Sequence, residues 1–514
     1  MPSVSSGLLG GDNWDEAKLA AASSDSDSEA AYPGRRQASW KSEPARIVSR
    51  LRSWLRLSSH GAQNPGPTAY LDGLRGFAAL LVYWHHHELW VRNPFIFENA
   101  FGFEGNFYFA TLPGVRTFFT GGHYSVTVFF VLSGYVLSIK PLSLIEKGDF
   151  AGLSEHLASA LFRRFFRLYL PLVAVVLVYA TSWHLFGYWV DTGTIPQSTW
   201  LGEMWAFYLE FKNFSFIFKE GGEPWMTFHR HIWSIPVEMR GSMIVFSSIL
   251  ALSRCTRKAR VWCLVGLIFY FLYIADGYYG SMFLAGTLLC YFDMLSKADQ
   301  LPAIFERLSK YKMFIVYHML AISIYLGGVP SHNNDMDQFA RNRGWYYLSL
   351  LKPQAVFGYK WFYLFWAGTL LVAAVPRISW LKAFFETRPC QYLGRISYAL
   401  YLVHGPVLWT IGNRLYMMVG WKTEKQLEAI PQWGDWWSLP QVGPTGAGAG
   451  VPAAAAVADA AHSLPGRLCD EVGGQAERSV RKLAVQVDTA GGAGEAQPCI
   501  GGHDTSPYYI RHDT

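Results

Sequence analysis

Charge is scarce in this sequence. Asp, Glu, Lys and Arg supply 16% of its 514 residues, against about 25% in an ordinary soluble protein. A chain of this length could divide into several soluble domains, but each would need its own polar surface, and the polar stretches here are short. Cysteine is sparse too. Cys255, Cys263, Cys290, Cys390, Cys469 and Cys499 make no CxxC pair and no metal-ligand spacing. They read as free thiols, which in apolar segments behave as small hydrophobes. Residues 1–44 lack the apolar core of a secretory signal peptide, so the first membrane helix would itself act as the insertion signal. A contiguous basic patch is also missing. The formal charge of +6 is scattered in small clusters beside apolar runs, which argues against a nucleic-acid partner.

Hydrophobic residues, in contrast, make up 51% of the chain, and Trp (21) and Tyr (28) are abundant; these two aromatics favour membrane interfaces. Apolar runs near 70–91, 122–138, 168–187, 233–252, 261–274, 278–294, 313–329, 361–376 and 396–415 read as nine bilayer-crossing segments. The fold class expected is all-α, a polytopic transmembrane bundle of nine to ten helices. With a cytosolic N-terminus, the cytosolic connections hold about 17 Lys and Arg in roughly 74 residues, and the opposite ones about 11 in roughly 134. That bias runs in the positive-inside direction. The sequon Asn213-Phe214-Ser215 falls in a connection expected to be lumenal or extracellular.

The ends differ from the middle. Residues 1–44 are small and polar, with an acidic serine run at 23–29, and read as a disordered cytosolic tail. Residues 45–69 read as a basic amphipathic juxtamembrane segment: Ile47, Leu51, Trp54 and Leu55 share one helical face, with Arg46, Arg50, Arg52 and Arg56 mostly elsewhere. An ordinary basic linker fits the same residues. Residues 416–440 read as a lumenal connection. Residues 441–514 turn to Gly, Ala and Val, and aromatics vanish between Trp437 and Tyr508. This tail reads as disordered. It is either genuine or, as the abrupt change favours, a departure from the reading frame near Val442.

The first apolar segment carries the most chemistry. Arg75 and His86 are eleven positions apart, three helical turns plus about 20°, so they share a face roughly 16 Å apart along the axis. Asp72 is within about 40° of that face. Charged groups within a membrane helix usually face the protein interior and mark a site or pathway. The bland reading puts Asp72 and Arg75 at one interface and His85, His86 and His87 at the other. Adjacent histidines on a helix point about 100° apart and cannot converge on a metal, so no metal is expected.

Five segments in order resemble the motifs of the acyltransferase-3 family of integral membrane O-acyltransferases. Residues 70–86 look like its opening motif, an arginine followed eleven positions later by a histidine, which selects His86 from the trio. Phe129-Phe130-Val131-Leu132-Ser133-Gly134-Tyr135 is similar to the second-helix motif. Arg163-Arg164-Phe165-Phe166-Arg167 resembles the cytosolic arginine motif, with Arg164 and Arg167 in the paired positions. Trp233-Ser234-Ile235-Pro236-Val237-Glu238 resembles the tryptophan–serine–glutamate segment, and the run from Leu393 to His404 resembles the late helix. Residues 70–415 would thus form a transmembrane acyltransferase-like domain. The long aromatic connections suggest a fungal-type member. The family's usual tenth helix finds no uninterrupted apolar span in 441–514.

The resemblance implies transfer of an acyl group, often acetyl, from acyl-CoA to a hydroxyl of a carbohydrate, lipid or small metabolite. Acyl-CoA is then a co-substrate, and no tightly bound cofactor is expected. A neutral histidine can accept the hydroxyl proton, and His86 is the candidate base. Arg163, Arg164 and Arg167 suit the phosphates of coenzyme A, with Arg75 meeting the donor deeper in. The plain alternative makes these arginines positive-inside anchors. Glu238 is a second catalytic candidate or half of a structural ion pair, with Arg75 or a histidine as the expected partner. His404 is another candidate base or binding residue. Ser133 and Tyr135 would pack and hydrogen-bond between helices. A transporter or channel is the rival reading, but it predicts internal repeats, and none is evident. A non-catalytic scaffold is a second rival, and it would tolerate His86→Ala.

Overall fold

The computed structural model describes residues 66–439 apart from 92–93, 192 and 219–223, and for Ile96 the backbone alone. The expected N-terminal tail, the juxtamembrane segment up to residue 65 and the Gly/Ala-rich tail from 441 lie outside the described residues. The described residues contain helices and no strand. The main ones are α1 (Ala69–Val91), α2 (Gly122–Lys147), α3 (Phe150–Phe186), α4 (Trp200–Phe214), α5 (Ser234–Ala251), α6 (Arg257–Tyr273), α7 (Tyr278–Lys297), α8 (Lys312–Gly327), α9 (Tyr359–Ala374), α10 (Ser379–Phe385) and α11 (Arg388–Val407). A π turn (Leu408–Gly412) and a short helix (Asn413–Met418) continue α11.

Local chemistry sets the joints. α2 stops where Gly148 adopts φ +75°, a left-handed conformation open to glycine. The Asp149 N–H then reaches back to the Leu144 carbonyl at 3.0 Å, closing the helix end in a Schellman-type turn. Asp149 in turn caps α3, accepting from the Gly152 N–H at 2.9 Å. Two residues thus end one long helix and start the next.

The expectation of nine to ten membrane helices is corrected. Among the described residues two helices, α2 with 26 residues and α3 with 37, are long and apolar enough to cross a membrane. A third counts if Tyr359–Arg377 and Ser379–Phe385, bent by 100°, act as one span. All nine apolar segments are helical, but most are too short or too polar to qualify. α6, α8 and α9 have 17, 16 and 16 residues, below the ~20 a bilayer asks for. α1 is long enough, but Asp72, Arg75, Glu88 and three histidines dilute it. The two spanning helices make this an integral membrane protein.

Small residues bring the central helices close. A Cβ on Gly134 of α2 would sit 1.9 Å from the Phe283 carbonyl oxygen, and one on Gly286 of α7 would sit 2.0 Å from that of Val131. The two backbones pack directly on each other, as small-residue faces allow. α1 and α11 meet the same way: a Cβ on Gly76 would reach the Gly394 nitrogen at 2.2 Å, and one on Gly394 the Asp72 oxygen at 2.4 Å. Gly286→Val is therefore expected to push α7 off α2 and cost about 1–3 kcal/mol by overpacking. A lowered thermal midpoint in detergent would register it; an unchanged midpoint would mean that this crossing is looser than described.

Candidate active site

The α1–α11 crossing fixes both ends of the site. At one end the Arg75 guanidinium donates to the Gly394 carbonyl at 3.0 Å and pairs with Asp72, one turn earlier, at 3.1 Å. Its side chain is 40% exposed, so part of it remains open to a ligand. Arg167, exposed on α3, and Glu238 are close enough for their charges to act on Arg75.

Glu238 is the centre of a buried network. Arg164 on α3 and the Ser133 hydroxyl on α2 both donate to its Oε1. The Arg164 Nε–H bonds Ser242 Oγ, and that hydroxyl donates to the Glu238 carbonyl at 2.6 Å. The two charged side chains are only 15% and 16% exposed. The partner expected for Glu238 was Arg75 or a histidine; the ion pair is made by Arg164 instead. The reason is geometric: a long side chain rising from the middle of α3 reaches α5, while Arg75 is held by Asp72 and Gly394. Arg240, two positions on, faces elsewhere, as helical geometry requires. Arg163 is exposed and donates to Ser159 one turn back. Tyr135 lies outside this network. Its hydroxyl donates to Asp293 at 2.9 Å, and Arg377 holds the other oxygen of that carboxylate at 2.8 Å.

At the other end three imidazoles form a pile. The rings of His86 and His231 are 3.7 Å apart and 14° from parallel. His404 stacks 5.1 Å from His86 and 4.8 Å from His231, at 25° and 11°. The three come from α1, the turn before α5, and α11. His404 donates its Nδ1–H to the Tyr401 carbonyl at 2.7 Å, which makes Nε2 its basic nitrogen. The Tyr401 hydroxyl bonds the His231 carbonyl and Ser234, tying the pile to α11. One nitrogen from each ring lies within 4.8 Å of the others, a spacing that invites a metal ion. Nearly parallel rings, however, set their lone pairs side by side, whereas tetrahedral coordination needs them convergent. The pile suits proton exchange better than coordination. The described residues bring together a second group, His85, Glu98 and His123, whose rings are inclined at 66°.

His231 and its neighbour His229 escaped the sequence reading. The signal was present: His229-Arg230-His231 stands just before Trp233, but it lies in a turn without helical periodicity. Asp293 and Arg377 gave no signal before the fold joined them.

His229 supplies a pH dependence. It is fully buried, donating Nε2–H to the Leu402 carbonyl at 2.8 Å, and burial pushes its imidazole down to about 4. Below pH 6.5 the unfolded chain takes up a proton that the folded one refuses. Stability is then expected to be level above about pH 7 and to fall as pH drops towards 4, by roughly 3 kcal/mol for this group. Thermal midpoints measured across that range should show the fall, and His229→Gln should flatten part of it. An identical slope in the variant would remove His229 as a cause.

Comparison with known proteins adds two findings. A family model described as an acyltransferase domain, that of the acyltransferase-3 family, matches residues 68–452. The chain is also similar to O-acetyltransferase PaAT-1 of Phomopsis amygdali, 28% identical over 393 residues, which cover 70% of this chain and 76% of that one. No solved structure matches.

Proposed function

The chain belongs to the acyltransferase-3 family and is an O-acyltransferase that works by acyl-CoA chemistry; on that premise we propose that it moves an acetyl group from acetyl-CoA to a hydroxyl of a carbohydrate, lipid or small metabolite. Its similarity to an O-acetyltransferase supports acetyl as the group transferred. The observation that carries the reading is the geometry of α1, which holds Arg75 at one end of a face and His86, inside the imidazole pile, at the other.

In the proposed step the acceptor hydroxyl gives its proton to a neutral nitrogen of His86 as its oxygen attacks the thioester carbonyl. The carbon–sulfur bond breaks, and the departing thiolate takes that proton, leaving an ester and free coenzyme A. His231 and His404 hold the His86 ring plane, and the neutral pile keeps one basic nitrogen ready. Exposed Arg163 and Arg167, with Arg75 deeper, take the donor's phosphates. Arg164 is committed to Glu238, and this pair with Ser133 shapes the donor end. Tyr135 supports the bundle through Asp293.

The N-terminus is cytosolic in this reading, so the arginine end faces the compartment where acyl-CoA is found. The histidine end faces the other leaflet, and donor and acceptor enter from opposite faces. Membranes with and without the protein, fed labelled acetyl-CoA, should differ by one alkali-labile labelled ester. Solute flux with no dependence on coenzyme A, and no such ester, would favour a transporter.

A further inference from the structure

We propose that His85, Glu98 and His123 form a divalent-cation site of the zinc class, separate from the imidazole pile. Its ligands come from α1, from the connection that follows it, and from the first turn of α2. One ligating atom of each lies within 4.8 Å of the others. The rings of His85 and His123 are inclined at 66° with centroids 5.7 Å apart. Inclined rings can aim their lone pairs at one point, which the parallel pile cannot.

The state of His85 suits a metal ligand. It is 3% exposed. Its Nδ1 is buried and has no hydrogen-bond partner. In the tautomer with its proton on Nε2, Nδ1 presents a lone pair to a cation. A ring with its proton on one nitrogen and a lone pair on the other is the form in which histidine binds a metal. His123 Nδ1 is likewise buried without a hydrogen bond, and Glu98 is 9% exposed. Buried polar atoms without partners are costly; a cation would satisfy the two imidazoles, with Glu98, whose carboxylate pairs with His332 at 3.7 Å, as the third ligand. Two imidazoles and a carboxylate with a remaining open position match the ligand set that zinc takes. Zinc bonds of about 2.0–2.2 Å require these side chains to draw in by roughly 1 Å.

Two positive groups stand against the site. Lys360 Nζ is 3.3 Å from His123 Nε2, and Arg116 donates to the Glu98 carbonyl at 3.0 Å. An ammonium donating to Nε2 leaves the His123 proton on Nδ1, so neither nitrogen can ligate while that bond is made. Metal and ammonium are thus alternatives, and Lys360 sets the affinity. When the cation binds, Lys360 turns away, and one nitrogen of His123 takes the metal while the other keeps the proton. The cation would clamp the end of α1 to α2, one residue from His86, whose ring is 5.6 Å from that of His85.

The full chain, purified in detergent, stripped with chelator and dialysed against zinc chloride, should retain about one zinc per chain. His85→Ala and Glu98→Gln should each weaken binding at least about tenfold. Lys360→Met should tighten it, and His404→Ala should leave it unchanged. X-ray absorption of the zinc-loaded wild type, which needs no variant to fold, should show imidazole scattering with an oxygen ligand. No retained zinc would overturn the site. So would zinc lost in His404→Ala but kept in Glu98→Gln, or absorption lacking imidazole.

Discussion

Arg164→Ala is expected to be the most destabilising single truncation at the donor end, by about 3–5 kcal/mol. The carboxylate of Glu238 is 16% exposed and takes its charge compensation from that guanidinium. Removing the arginine strands an anion in a poorly solvated place, and Ser133 alone cannot balance it. Ser242 would lose its Nε–H donor as well. Replacing both charged residues with methionine should restore much of the loss, because it removes the stranded charge. Arg167→Ala provides the contrast. That side chain is exposed, so its removal should leave the thermal midpoint unchanged and weaken acetyl-CoA binding about tenfold. Thermal unfolding and equilibrium donor binding, measured on the same preparations, separate the two arginines. An unchanged midpoint in Arg164→Ala would mean that the ion pair contributes little.

His86→Ala is expected to lower turnover by about 10²- to 10⁴-fold, the range a positioned general base supplies, while donor affinity stays as it was. In the proposed reading donor affinity depends on the arginine end, roughly 16 Å away along α1, so it should not follow the imidazole. His231→Ala should cost less, since His231 orients the base and does not take the proton in the proposed step. Initial rates of labelled ester formation and direct donor binding give the two readouts. Turnover unchanged in His86→Ala would reassign the base, with His404, also in the pile, as the second candidate.

Much of this arrangement could be read from local sequence. Helices fall at all nine apolar segments, because long apolar runs between glycine, proline and polar breaks leave the backbone few other ways to satisfy its hydrogen bonds. The eleven-residue spacing placed Arg75 and His86 on one face of α1, a consequence of helical pitch alone. The membrane-span count was another matter. A window of apolar residues does not reveal that α8 stops after 16 residues, or that the helix from Tyr359 turns by 100° before Ser379. The partner of Glu238 was hidden for a different reason. Positions 164 and 238 meet only once α3 and α5 pack, and Arg164 read equally well as a phosphate ligand. His231 was missed because a turn has no period to expose it. Tyr135 lies 158 residues from Asp293, and Arg377 a further 84 along, so only the packed fold could join them.

The central claim is that one internal site receives its two substrates from opposite faces. Sealed vesicles decide it, loaded with the acceptor identified by labelling and supplied with acetyl-CoA on the cytosolic face alone. Ester formation in intact vesicles is the expected result; ester formation only after detergent opens them would contradict it.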